Sequence, residues 1–239
     1  MAKWQERTAL MLGDEDLEKL RKAHVLIVGL GGVGAYAAEQ LCRAGIGSLT
    51  IVDGDVVEQT NRNRQLPALI SNEGKPKAEI LGERFRDINP ELNLCVINEY
   101  LKDKRMIEIL HEAQYDYVVD AIDTLAPKTF LIYHSVQANL PIVSSMGAGG
   151  KFDPAQVQQA DLSKSYNCRL AKMIRKRLYK LGIRKGVKVI FSPEAVDPKR
   201  VRIEEGQNKK SAVGTISYMP PVFGCFCASV VIQDLLATN

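Results

Sequence analysis

Short apolar runs alternate with helical patterns along the first 150 residues of the chain. The apolar runs predict strands, and the segments between them place apolar residues at helical spacing. The predicted strands cover residues 24–28, 48–52, 94–98, 117–121 and 141–146, and the predicted helices cover 14–22, 32–44, 75–86, 103–113 and 126–138. This alternation predicts an α/β fold with a doubly wound, Rossmann-like and mostly parallel sheet.

The alternation weakens after Gly150, and residues 151–239 are expected to extend the same sheet with antiparallel strands. We find no linker or repeat, so we predict a single domain over 1–239, with a nucleotide-binding part (1–150) and a C-terminal extension (151–239). Residues 211–233 carry no charge and are long enough to span a membrane. Glycines and prolines interrupt them, which favours a buried strand or loop followed by a packed helix.

Composition is that of an ordinary soluble protein. Of 239 residues, 46% are apolar and 25% charged, and the net charge of +4 is mild. The five cysteines are odd in number and irregular in spacing, which is typical of a reduced compartment rather than a disulfide framework. The first residues lack the apolar core of a signal peptide, so we expect a cytoplasmic protein that does not enter a membrane.

A glycine-rich loop follows the first predicted strand, and the second predicted strand ends at Asp53. Gly29 permits a tight turn, Gly31 allows a phosphate to approach the backbone, and Gly34 lets the next helix pack closely. Gly32 completes the loop. The first N–H groups of that helix have no partner within the helix and point towards an anion. The loop predicts a nucleotide site but leaves NAD, FAD and ATP open.

Charges further along the chain bear on which nucleotide binds. A helix dipole contributes only about 0.3–1 kcal/mol per charge, too little to balance a triphosphate. Arg64 and Lys77 could supply the cations that ATP requires. Asp123 follows the fourth predicted strand, where a carboxylate can hold Mg²⁺ against phosphate oxygens.

Together these residues resemble the ATP-dependent adenylating enzymes of the E1 superfamily. The matching pieces are the glycine loop, Asp53, Asp55, Asn61, Arg64, Gln65, Lys77 and Asp123. The resemblance implies that these residues form an ATP site in which Asp53 binds the ribose and Asn61, Arg64 and Lys77 contact the triphosphate. It places Asp123 beside Mg²⁺ and the reacting carboxylate. It also implies that Arg7 reaches the ATP of a partner subunit, which would require a homodimer.

Within that superfamily, several stretches resemble the tRNA threonylcarbamoyladenosine dehydratases. They are residues 7–13, 120–128, 147–154, 161–164 and 191–194. The resemblance implies ATP-dependent adenylation of the threonylcarbamoyl carboxylate on a tRNA adenosine, followed by ring closure and release of AMP. The family association also suggests a sulfur-transfer partner, either a cysteine desulfurase or a sulfur acceptor.

A tRNA substrate predicts a cationic surface. Nine lysines and arginines and no acidic residue lie between Arg169 and Lys188. The candidate tRNA-binding residues are Lys172, Arg175, Lys176, Arg177 and Lys180, and three of them can share one helix face. The other interpretation is a solvated helix face.

Three other functions stay open. An activator of a ubiquitin-like sulfur carrier usually holds zinc with two Cys-x-x-Cys pairs, whereas Cys225 and Cys227 are too close and stand alone. A nucleotide-binding module without turnover is a second possibility. An NAD-dependent oxidoreductase would leave Asn61, Arg64 and Lys77 without a role.

Overall fold

The computed structural model describes residues 3–203 and 211–237, so the outermost residues of the predicted domain and residues 204–210 lie outside it. Seven strands form one sheet in the order β3-β2-β1-β4-β5-β7-β6, and two more pair separately. The strands are β1 (His24–Val28), β2 (Ser48–Val52), β3 (Asn93–Ile97), β4 (Tyr117–Asp120), β5 (Ile142–Ser145), β6 (Gln158–Asp161), β7 (Lys188–Phe191), β8 (Val201–Ile203) and β9 (Ser211–Val213).

Eight α-helices connect or flank these strands in the described part of the chain. They are α1 (Glu6–Leu12), α2 (Asp14–Lys22), α3 (Gly34–Ala44), α4 (Lys77–Ile88), α5 (Asp103–Ile109), α6 (Leu125–Gln137), α7 (Arg169–Lys180) and α8 (Met219–Ala237). The first five strands and the helices between them lie where the sequence pattern predicts them. The predicted α/β class and mostly parallel sheet are therefore confirmed.

The C-terminal part extends the sheet in a mixed manner. β7 pairs with β5 in parallel, and β6 then pairs with β7 in the antiparallel direction. β8 and β9 form a separate antiparallel hairpin outside the main sheet. The expected antiparallel extension is therefore correct for β6 but not for β7.

The sheet is covered on both faces, as parallel sheets require. Alternate residues of β1 enter two different clusters: Val25 and Ile27 pack with α3, α4 and α8. Leu26 and Val28 pack with α5, α6 and α7 on the opposite face. Because both faces of the central strands are buried, a ligand can reach them only at the strand ends.

Helix α8 is long and apolar enough to cross a membrane by length and composition. It packs along α3, where a Cβ on Gly224 would lie 2.5 Å from the carbonyl oxygen of Val33. The prediction of a packed helix is confirmed. The segment before it differs from the predicted buried strand or loop, because Val213 at the end of β9, Ile216 and Tyr218 remain partly exposed.

Candidate active site

Three glycines at the turn from β1 into α3 have different surroundings. Gly29 has a φ of +92°, and a Cβ on it would lie 2.9 Å from the carbonyl of Ala121. A Cβ on Gly34 would lie 1.7 Å from the oxygen of Gly29, so the loop could not close. Gly31 has only the Gln65 amide nitrogen nearby, at 3.7 Å. The turn therefore needs Gly29 and Gly34, whereas Gly31 leaves space for a ligand.

Asp53, directly after β2, ties the glycine loop to the next strand. Its carboxylate accepts the N–H of Leu30 at 2.5 Å and the N–H of Asp55 at 2.7 Å. Burial raises the pKa of Asp53, while these two N–H donors oppose that rise. The side chain predicted to bind a ribose thus lies against the glycine loop, at the edge where nucleotides bind in open α/β sheets.

Lys77, the first residue of α4, brings a cation to the same edge. Its side chain is almost completely buried, and Nζ lies 2.9 Å from Oδ2 of Asp55, a carboxylate that is half exposed. Tyr100, after β3, donates its hydroxyl to the other oxygen of Asp55. That hydrogen bond raises the pKa of Tyr100 to about 12. We did not predict a role for Tyr100 from the sequence, although a residue that follows a parallel strand lies at the ligand-binding edge of the sheet.

The loop after β2 contributes Asn61, Arg64 and Gln65. Nη1 of Arg64 donates to the carbonyl of Thr60 at 2.9 Å and to the side chain of Asn63 at 2.8 Å. The buried Asn61 accepts a backbone N–H and shapes the loop. Oε1 of Gln65 is buried without a hydrogen-bond partner, and the amide nitrogen of the same side chain faces Gly31. Because an unsatisfied buried acceptor costs about 1–3 kcal/mol, its position is typical of a site that a ligand or water completes.

A completely buried ion pair follows β4. Nζ of Lys128 lies 2.8 Å from Oδ2 of Asp120, and neither side chain is exposed. Ser144 donates to the same carboxylate at 2.6 Å. Lys128 also donates to the carbonyl of Ile122 at 2.9 Å, and Asp120 accepts the N–H of Ile122 at 3.1 Å. The pair therefore holds the turn that carries Asp123. Both residues belong to a stretch that supports the family resemblance, but we assigned them no role from the sequence.

Asp123 lies on this turn and is exposed. Two residues before it, Ala121 contacts Gly29 and Gly34, so the turn after β4 adjoins the glycine loop. The carboxylate of Asp123 is thus at the same edge of the sheet as Asp53 and Lys77. Carboxylate oxygen is a ligand that Mg²⁺ prefers.

Arg7 lies on α1, which packs against α2 at the start of the described chain. The helix buries none of its residues, and Leu10 and Met11 are 82% and 83% exposed. Helix α1 thus presents two large apolar side chains to solvent.

The basic helix α7 presents most of its predicted cations to solvent. Lys172, Lys176, Arg177 and Lys180 are exposed. Arg175 differs, because its Nη1 donates to the carbonyl of Leu162 and to both oxygens of Ser165 at 2.7–3.2 Å. Helical spacing puts Arg175 next to the buried Ile174 and Leu178, so this nitrogen holds a turn of the protein instead of projecting from the surface.

The cysteines and histidines form no metal site among the described residues. Burial raises the pKa of Cys227 to about 12, which disfavours the thiolate needed for metal binding or nucleophilic attack. His24 is half-buried, and its Nε2 lies 2.9 Å from the hydroxyl of Thr50.

With the geometry established, comparison with known proteins identifies the family. Residues 5–239 match the model of the ThiF family. The chain is 40% identical over 238 residues to the tRNA threonylcarbamoyladenosine dehydratase of Bacillus subtilis, covering 96% of this chain and 93% of that protein.

Solved structures give the same result. The Escherichia coli tRNA N6-threonylcarbamoyladenosine dehydratase in complex with ATP aligns with a TM-score of 0.89 and 36% identity, covering 99% of this chain and 96% of that one. Its complex with AMP aligns with a TM-score of 0.90, over 99% of this chain and 97% of that one. The chain therefore belongs to the ThiF family, within the branch of the tRNA threonylcarbamoyladenosine dehydratases.

Proposed function

We propose that this protein uses ATP to convert N6-threonylcarbamoyladenosine in tRNA into its cyclic, dehydrated form. The main support is that the glycine loop, Asp53, Lys77 and Asp123 lie at one edge of the sheet. The chain is also similar to the dehydratases along nearly its whole length. For the alternative, activation of a sulfur carrier, the similarity is shorter: the Escherichia coli molybdopterin-synthase adenylyltransferase matches 53% of this chain.

The chemistry takes two steps. The substrate carboxylate attacks the α-phosphorus of ATP, and pyrophosphate leaves. The neighbouring urea group then attacks the activated carbonyl carbon, loses a proton and expels AMP, which carries away the original carboxylate oxygen. Because the attacking group belongs to the same nucleoside, proximity supplies much of the rate. This route requires no covalent bond to the enzyme.

The residues of the ATP site would contact different parts of the nucleotide. Asp53 accepts hydrogen bonds from the ribose through the lone pairs that its backbone donors leave. Lys77 and Arg64 turn from Asp55 and Asn63 towards the phosphates, where the negative charge is greater. Asn61 and Gln65 complete the pocket. Asp123 would hold Mg²⁺, which neutralises phosphate charge when bound.

The homodimer is part of the same proposal. Leu10 and Met11 would be buried against a partner subunit, and Arg7 on the same helix would then reach the partner's ATP. A cytoplasmic location and a sulfur-transfer partner remain predictions from the sequence.

For tRNA, we propose that the exposed cations of α7 contact phosphates. Gly147 lies on the loop after β5, and a Cβ on it would be 3.8 Å from the Cβ of Leu170, in the first turn of α7. The helix therefore begins beside the edge of the sheet that carries the ATP site. RNA could extend from the active site along Lys172, Lys176, Arg177 and Lys180.

One experiment tests the reaction directly. The protein is incubated with ATP, Mg²⁺ and tRNA carrying threonylcarbamoyladenosine, and AMP and the mass of the released nucleoside are measured. We expect AMP and a nucleoside lighter by one water. An unchanged nucleoside mass, with protein that still binds ATP, would refute the proposal. Arg64→Ala should abolish AMP formation while the fold persists.

A second experiment tests the tRNA surface. The double variant Lys172→Glu and Lys176→Glu should bind tRNA more weakly. Its log–log salt dependence should flatten by roughly 0.7–0.9 for each phosphate that the variant no longer neutralises. Lys104→Glu, an exposed lysine on α5, is the control. An unchanged slope in the double variant would mean that α7 is only a solvated face. Arg175 is unsuitable for this test because it supports the fold.

A further inference from the structure

Phe152 is an exposed aromatic residue on a firmly held backbone. Its side chain lies on the loop after β5, and the residue is 58% exposed. Its N–H donates to the carboxylate of Glu194 at 2.7 Å, and its carbonyl accepts the hydroxyl of Tyr218 at 2.8 Å. The fold thus keeps a large apolar ring at the surface, at a fixed position, instead of burying it.

Two other groups border this ring. The Tyr218 ring meets it edge to face at 6.0 Å between centroids, and the guanidinium of Arg200 lies 6.0 Å from its centroid. Arg200 is itself held by a hydrogen bond to the carbonyl of Gly150 and lies 3.6 Å from Glu194. We call Phe152, Tyr218 and Arg200 the aromatic platform.

The platform is connected to the ATP site by short contacts. Asn63, whose side chain also accepts from Arg64, donates to the carbonyl of Thr215 at 2.9 Å, three residues before Tyr218. Pro220, two residues after Tyr218, lies 2.9 Å from the position of a Cβ on Gly32. The glycine loop and the arginine-bearing loop therefore both contact the segment that carries one ring of the platform.

We propose that the aromatic platform stacks an unpaired base of the tRNA anticodon loop and so brings the modified adenosine to the ATP. This inference rests on the proposed function and adds a binding site to it. Proteins recognise single-stranded RNA by stacking unstacked bases on aromatic rings and guanidinium planes. Both surfaces are present here beside the nucleotide loop, whereas the lysines of α7 offer phosphate contacts only.

The test compares Phe152→Leu, which keeps an apolar side chain but removes the ring, with Phe152→Trp, which keeps a stacking surface. We expect F152L to raise the KM and Kd for tRNA about 10-fold, the size of one missing base stack. Its Kd for ATP should stay within about twofold of the wild-type value, and F152W should restore tRNA binding. Phe130→Leu, an exposed phenylalanine on α6, is the matched control.

Other results would contradict the proposal that the aromatic platform stacks an RNA base. Equal tRNA affinity in F152L and wild type would show that the ring does not contact RNA. A change in mass by light scattering would instead make the ring a subunit contact, and a loss of ATP affinity would assign it to the nucleotide site. If F152L failed to fold, R200K would replace it, with tRNA binding again expected to weaken. Failure of the proposed function is separate, because wild-type protein would then yield no dehydrated nucleoside.

Discussion

Two aspartate–lysine pairs of almost equal length lie at the carboxyl edge of the sheet and differ in their surroundings. Asp120 and Lys128 are 2.8 Å apart, and both are fully buried. Asp55 and Lys77 are 2.9 Å apart, but half of the Asp55 side chain is exposed. We call them the closed pair and the open pair. Because solvent and ligands can reach only the open pair, the same pairing serves structure in the closed pair, whereas phosphate binding is the role that we propose for Lys77 in the open pair.

Lys128→Met should have the largest effect, because it leaves the Asp120 carboxylate buried without its cation. Removing one partner of such a pair costs about 3–5 kcal/mol. Urea unfolding should show a lower midpoint with an unchanged slope. A loss below about 1 kcal/mol would mean that the closed pair behaves like a surface pair. The turn at Ile122 should also loosen, so the folded fraction should form AMP more slowly.

Lys77→Met should separate activity from stability. The substitution keeps the buried stem but removes the charge, and AMP formation should fall about 10²–10³-fold, as when one preorganised electrostatic donor is removed. The free energy of unfolding should change by only about 1 kcal/mol, because the exposed oxygens of Asp55 can be solvated. Wild-type turnover in this variant would remove Lys77 from the active site.

Ser144→Ala refines the comparison by removing one donor to the closed pair. A hydrogen bond to a charged group contributes about 1.5–3 kcal/mol, and the free energy of unfolding should fall by that amount. Ser145→Ala is the matched control, since its hydroxyl reaches only the carbonyl of Met146, at 3.2 Å. If both variants lost the same stability, Ser144 would have no special role at Asp120.

The two pairs also show what the sequence could predict. The glycine loop, Asp53 and Lys77 follow local rules, because strand ends and helix starts fix their positions along the chain. The sequence pattern places Asp120 at the end of a buried strand and Lys128 in a helix. Their pairing depends on how α6 packs on the sheet, which hydrophobic periodicity does not specify.

The C-terminal part was harder to predict for the same reason. Arg175 has the same charge as its neighbours in the basic run, and only the packing of α7 distinguishes it. Phe152 and Arg200 are 48 residues apart in sequence and meet only because the loop after β5 contacts the hairpin of β8 and β9. Contacts of this kind depend on tertiary structure, so family resemblance marked the stretch around Phe152 without giving it a role.

Tyr100 gives the smallest and most local test of the open pair. Its hydrogen bond to Asp55 raises its pKa from the ordinary 10.0 to about 12. The neutral phenol is the form that donates. Its contribution to stability is therefore complete below pH 10, the unfolded value, and is lost as the pH rises through about 12. NMR titration of labelled tyrosines, with Tyr100→Phe to assign the signal, measures this pKa. Asp55→Asn should move the pKa back towards 10, because the charged acceptor is removed. A wild-type Tyr100 that already titrates near 10 would mean that the phenol does not hold the Asp55 carboxylate in position.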